Sequence, residues 1–155
     1  MKQHYYSTQI RWLGNLGMGT RSYSAYSRNF IITAEGKSEI RVSSDVAFRG
    51  DPSLFNPEDL FVSSIASCHM LWYLHLCAIN KIVVMEYQDG PEGFMSEEEN
   101  GAGQFEKVIL NPIVHLKEMD KAELALELHE RAHEYCFIAR SVNCVIELKP
   151  QIILH

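Results

Sequence analysis

The sequence lacks several things, and each absence narrows its function. No run reaches, without polar breaks, the roughly 18 to 20 apolar residues that a bilayer span needs. Leu60 to Ile79 comes nearest, and three serines and two histidines interrupt it. The opening MKQHYYSTQIRW has no signal-peptide apolar core. There is no basic stripe, and a net charge of −6 argues against nucleic acid as the main partner. No internal repeat, low-complexity segment or linker stands out. The expectation is a soluble, cytoplasmic protein with neither a membrane nor a nucleic-acid partner. Cysteine is scarce as well, with four residues: Cys68, Cys77, Cys136 and Cys144. In a reducing compartment these are expected to be free or catalytic rather than structural bridges.

What is present suits a folded protein. A chain of 155 residues, 46% apolar and 22% charged, fits a single globular domain over 1–155. Residues 4–12, 23–34 and 39–43 read as three strands of an N-terminal meander, separated by the glycine-rich LGNLGMGTRS and the AEGK turn. A loop over 45–55 carries Arg49 and leads into a long apolar helix. Lys81 to Gln88 is β-rich, and the acidic stretch from Asp89 to Gly103 reads as a solvated turn. Residues 104–116 form a strand, bulged at Asn111-Pro112. Asp120, with Glu123 three residues on, predicts the start of a second helix striped by Leu124, Leu128 and Ala132. Val142, Cys144, Ile146 and Leu148 alternate in a last strand. The order is α+β: sheets around a central buried helix, with a second helix.

The chemistry centres on Asn56 to Asn80. Asn-Pro-Glu is a helix-start signal, and Glu58 and Asp59 suit the positive end of the helix dipole. Apolar residues on every face predict a helix buried all round. Cys68 follows the small residues Ser63, Ser64, Ala66 and Ser67. Cys77, nine residues later, points about 180° away and reads as core, as does Cys144. Cys68 and Cys136 lie among polar neighbours: His69 follows the first, His133 precedes the second and Arg140 follows it. A cation or dipole there would favour a reactive thiolate. His129-Glu130-Arg131-Ala132-His133 matches H-E-x-x-H. Two imidazoles on one helix face could bind zinc, with Glu130 as base and Cys136 as a further ligand. The plainer alternative is a helix with solvent-facing histidines. Arg28, Arg49 and Glu58 read as ordinary surface charges on residue type alone.

FNPEDLFVSSIASCHMLWYL, from Phe55 to Leu74, and LHERAHEYCFIARSVNCVIEL, from Leu128 to Leu148, resemble the OsmC/Ohr family of osmotically inducible and organic-hydroperoxide-resistance proteins. The first resembles the family's N-P-E-x-L helix with a cysteine ten residues after the glutamate. The second resembles its A-H-x-x-C segment followed by a strand. YSRNF and FRGDPSLFNPE are further echoes, closest to an OsmC-like branch. The resemblance implies an intertwined homodimer of antiparallel sheets about a central helix, working without cofactor or metal. It implies thiol-dependent reduction of organic hydroperoxides, with Cys68 peroxidatic and Cys136 resolving. A dithiol, lipoyl-type or thioredoxin-like, would be the reductant. Glu58 matches the glutamate that orients the catalytic arginine, which is placed at Arg49 with Arg28 in reserve. The histidine before the second cysteine belongs to the family pattern without zinc. Two departures are Phe137, where the family has proline after the second cysteine, and His69 after Cys68. A non-catalytic relative that binds a small hydrophobic ligand is the alternative, and a zinc hydrolase through His129, Glu130 and His133 is a third reading.

One geometric point stands apart from the resemblance. Glu58 and Cys68 are ten residues apart, about 15 Å of rise in an unbroken helix. Either the helix breaks, or Glu58 acts through a long arginine, or it serves a partner's site. The last implies a dimer with composite sites.

Overall fold

The structure, a computed structural model, describes residues 2–155. The chain is mixed α+β, with nine strands, two α-helices and two short 3-10 turns among those residues. Residues up to Leu60 form one compact unit and Phe61–His155 a second.

In the first unit, β1 (Gln9–Trp12), β2 (Phe30–Thr33) and β3 (Ile40–Val42) make the antiparallel meander that the sequence predicts. The first two strands are shorter than expected. Tyr23 and Tyr26 carry β-type side chains, but they are used elsewhere. Tyr26 meets Trp12 edge to face at 5.8 Å. Both tyrosine rings also flank the Arg28 guanidinium, at 4.3 and 4.1 Å. Trp12 Nε1 donates to the Ser27 carbonyl at 2.8 Å. Gly14 is fitted so closely to Ser27 that a Cβ there would lie 1.7 Å from its carbonyl oxygen. Backbone pairing continues only irregularly past the two strands, through Leu13 N–H to Asn29 O, Ser27 N–H to Gly14 O and an isolated bridge between Asn15 and Tyr26. At the far end of the unit, Asn56 Oδ1 accepts from Asp59 N–H at 2.7 Å, and Asp59 Oδ2 accepts from Asn56 N–H at 3.1 Å. This reciprocal cap starts the helix where Asn-Pro-Glu predicts.

The helix, α1 (Pro57–Ile79), runs unbroken for 23 residues. A break between Glu58 and Cys68 is thereby removed. By length and composition this helix could cross a membrane, so the serines and histidines interrupt it less than the sequence reading assumed. It nevertheless carries a protein core. Ile65, Ala66, His69, Tyr73, Leu76 and Cys77 are buried, one face at i, i+4, i+8 spacing. The expectation of burial on every face is corrected here. Within the chain the other face is open, with Leu71 64% and Ile79 60% exposed.

Around that face lie two three-stranded sheets. One has the order β4 (Val84–Gln88), β7 (Ile113–Leu116), β9 (Gln151–Leu154). The other has the order β5 (Glu92–Glu97), β6 (Gly103–Leu110), β8 (Val145–Leu148). The middle of the acidic stretch expected to be a turn is therefore strand, paired with β6 as a hairpin. Every residue of β5 is exposed, so no burial alternation betrays it. Gly93 lets it pass close to α1 and β6: a Cβ there would come within 2.6 Å of Val62 and 2.7 Å of Phe105.

The expected bulged strand 104–116 is two strands in different sheets. Pro112 has no N–H for a ladder, so the chain turns at Asn111-Pro112. Pro150 divides β8 from β9 in the same way. β6–β8 and β7–β9 run parallel rather than antiparallel, because α2 (Ala122–Tyr135) is the crossover that returns the chain in the same direction. The Asp120 cap does not form. A backbone turn, Ala122 N–H to Met119 O at 3.1 Å, precedes the helix instead, and Lys121 Nζ donates to Asn80 O at 3.0 Å. The α2 stripe buries Ala125, Leu128, His129 and Ala132 against Tyr73, Leu76, Val114 and Leu116.

Candidate functional site

The geometry that brings two thiols together comes from the helix ends and faces of the second unit. Cys136 caps the C-terminus of α2, where the backbone leaves helical geometry and its N–H bonds to His133 O at 3.2 Å. A tight turn follows, with Arg140 N–H to Cys136 O at 3.0 Å. This turn delivers the Cys136 sulfur to the face of α1 that carries Cys68, close enough for the Cys68 thiol to act on it. Both are free. Cys68 is partly exposed, whereas Cys136 is 0% exposed. Only Cys68 can meet a reactant from solvent.

The burial of Cys136 drives its pKa up to about 11, reinforced by the nearby Cys68 thiol and opposed by the Ala139 N–H that donates to its sulfur at 3.4 Å. Cys136 is therefore a neutral thiol at pH 7. Of the polar neighbours expected around this pair, His69 is turned into the core. The Arg140 guanidinium donates to Glu134 O at 3.4 Å. Cys68 opens onto a groove of about 610 Å³ lined by Ser64, Ser67, Leu71, Trp72, His75, Phe137 and Ile138. Phe137, in place of the family proline, is 66% exposed at the groove wall and does not separate the thiols.

The histidines do something the sequence did not suggest. His69 Nε2 and His129 Nδ1 lie 3.0 Å apart, their rings are stacked, and both residues are 1% exposed. His129 also stacks on Tyr73 at 3.8 Å between centroids. One imidazole donates to the other, which requires at least one ring to be neutral. Burial holds the His69 pKa down to about 4, with the nearby His133 charge adding to the effect. Burial holds His129 down to about 3, with His69 adding. The solvent-facing alternative is thus incorrect for His129. For the zinc reading, Glu130 is exposed, and no group of three metal-ligating side chains occurs among the described residues.

The remaining expected site residues belong to the first unit. Glu58 is half-buried in the first turn of α1. Arg28 has both terminal nitrogens engaged, donating to Tyr26 O at 2.7 Å and Tyr23 O at 2.8 Å. Arg49 ends a 3-10 turn in the left-handed region, φ 66°, its guanidinium 5.7 Å from the Tyr23 ring. Of the five expected residues, Cys68 and Cys136 are brought together within one unit; Glu58, Arg49 and Arg28 lie in the other.

The OsmC-like protein family model matches residues 50–150. The chain belongs to the OsmC-like family. No curated protein matches its sequence. Among solved structures it is similar to an OsmC-like protein of unknown function from Vibrio cholerae O1 biovar eltor, at 28% identity and TM-score 0.79, covering 97% of this chain and 100% of that one. It is also similar to an organic hydroperoxide resistance protein from Elizabethkingia anophelis, at 20% identity and TM-score 0.68, covering 99% and 100%. A third similar structure is an organic hydroperoxide resistance protein, OsmC, from Legionella pneumophila, at 19% identity and TM-score 0.67, covering 98% and 100%. At those two identities the likeness concerns the fold.

For this OsmC-like chain, sequence reasoning missed the groove wall. Ser64, Trp72 and His75 lie at i−4, i+4 and i+7 from Cys68, so one helix face carries them all. That spacing was available in the sequence. The contribution of Phe137 and Ile138 was not, because it depends on the turn after α2.

Proposed function

We propose that this chain, as a single OsmC-like domain over 1–155, is a thiol-dependent peroxidase for hydrophobic organic hydroperoxides. The observation that carries the reading is one accessible thiol, Cys68, on a groove without acidic, lysine or arginine side chains, beside a buried second thiol, Cys136. The Cys68 thiolate attacks the terminal peroxide oxygen. The O–O bond breaks, Cys68 becomes a sulfenic acid, and the alkoxide leaves and takes up a proton to give the alcohol. The Cys136 sulfur then attacks the sulfenic sulfur, forming a disulfide and releasing water. A cytoplasmic dithiol, lipoyl-type or thioredoxin-like, restores both thiols by exchange and is itself oxidised to a disulfide.

The cation that steadies the thiolate and the developing alkoxide is Arg49 in this reading, oriented by Glu58. Arg28 stays in reserve, with each terminal nitrogen already donating to a carbonyl. The test is stoichiometric. Reduced protein mixed with excess alkyl hydroperoxide should lose two thiols per chain and yield one Cys68–Cys136 disulfide in a peptide map. Peroxide binding without thiol loss would instead support the non-catalytic ligand-binding reading.

The unbroken α1 leaves Glu58 about 15 Å along the helix from Cys68, which favours a homodimer with composite sites. Light scattering coupled to an activity assay should find turnover only in a dimer. Full turnover in a strictly monomeric species removes the composite site.

A further inference from the structure

Resting on the peroxidase reading, we infer that the groove beside Cys68 is built for a hydroperoxide with an aromatic ring one or two carbons from the peroxide group, with Trp72 and Phe137 as its specificity-determining residues. Trp72 is one helical turn beyond Cys68 on the same face, about 6 Å along the axis. A ring set against it would leave room for only a short link to a peroxide at the Cys68 sulfur.

Trp72 is held in place by aromatic neighbours on three sides. Tyr135 stacks on it at 5.2 Å and 27°, Phe137 meets it edge-on at 5.7 Å and 72°, and His75 meets it edge-on at 5.8 Å and 78°. The indole is thus already ordered, and binding a ring there costs little side-chain entropy. Phe137, 66% exposed, leaves much of its ring free beside Trp72 in the groove. Two aromatic surfaces at fixed angles favour a flat π-system through edge-to-face and offset contacts, beyond the area they bury. A saturated chain gains only the area term. No acidic, lysine or arginine side chain lines the groove.

The test compares two primary hydroperoxides of similar shape, 2-phenylethyl and 2-cyclohexylethyl. It reads the ratio of their kcat/KM values in the parent, in Trp72→Leu and in Phe137→Leu. Each substitution should lower the phenyl-to-cyclohexyl ratio about two- to tenfold, the value of one aromatic pair. An unchanged ratio in both variants overturns the inference, even if turnover itself is normal. Phe137 is exposed and outside the core, so Phe137→Leu keeps the test decisive if Trp72→Leu fails to fold. Calorimetric binding of the product alcohols, 2-phenylethanol and 2-cyclohexylethanol, separates the two claims. If no hydroperoxide is turned over, the peroxidase reading falls. The same fall in the alcohol binding ratio would then still support the ring subsite, and its absence would end it.

Discussion

Cys68→Ser protein should consume organic hydroperoxide no faster than buffer, a loss on the order of a thousandfold or more, because a serine hydroxyl has no comparable nucleophilicity toward a peroxide oxygen. Cys136→Ser should behave differently. Its Cys68 still reacts once, since the sulfur that meets solvent is intact, but the sulfenic acid has no partner thiol at hand. One equivalent of peroxide per chain should disappear, and a sulfenic-specific probe should then label Cys68. Peroxide consumption by dye assay, with mass spectrometry of the labelled peptide, distinguishes the cases. Sustained turnover by Cys68→Ser removes Cys68 as the nucleophile; unimpaired turnover by Cys136→Ser removes the resolving role. No acidic, lysine or arginine side chain lines the groove at Cys68, and serine keeps the size of cysteine at either position.

Acid should unfold this protein early, and the His69–His129 pair should be responsible. Both imidazoles are buried as neutral groups, with pKa values held to about 4 and about 3 against an ordinary 6.5. In the unfolded chain they titrate near 6.5, so between that value and about 4 the unfolded state binds more protons than the native one. Stability therefore rises with pH across this window. It is fully present above about pH 6.5 and is lost as pH falls toward 4. The linked change is on the order of several kcal/mol, a large share of a typical domain's stability. Urea midpoints measured at pH 7.5, 5.5 and 4.5 should fall steeply. His129→Gln, which cannot be protonated, should flatten the fall even if it lowers the midpoint at pH 7.5. An equally steep fall in His129→Gln would move the cause elsewhere, with His133, which lies close enough to act on His69, the next group to examine.

The two histidines also show where local pattern stops being informative. H-E-x-x-H places His129 and His133 on one face of a helix, and that much follows from the 3.6-residue repeat. What His129 faces is set by α1, sixty residues earlier in the chain. It meets an imidazole and a tyrosine ring. The strand errors have the same origin. β5 is exposed along its whole length, and β6 keeps it in place through backbone pairing, which leaves no periodic trace. Proline at 112 looked like a bulge because a single missing N–H can mean either a bulge or a change of sheet. Only the neighbouring strand, with its own proline at 150, decides between them.

By itself the sequence determined the long apolar helix and its Asn56 cap, the second helix, the meander and the two cysteines of interest. These depend on residues within a few positions of one another, where propensity, capping and periodicity act. The tertiary structure alone decided that α1 buries one face rather than all, that Cys136 lies beneath Cys68 as a protonated thiol, and that an aromatic wall stands beside them. Those outcomes depend on which surfaces meet after the chain has turned. Burial, and the pKa values that follow from it, is a property of the packed molecule and not of any segment.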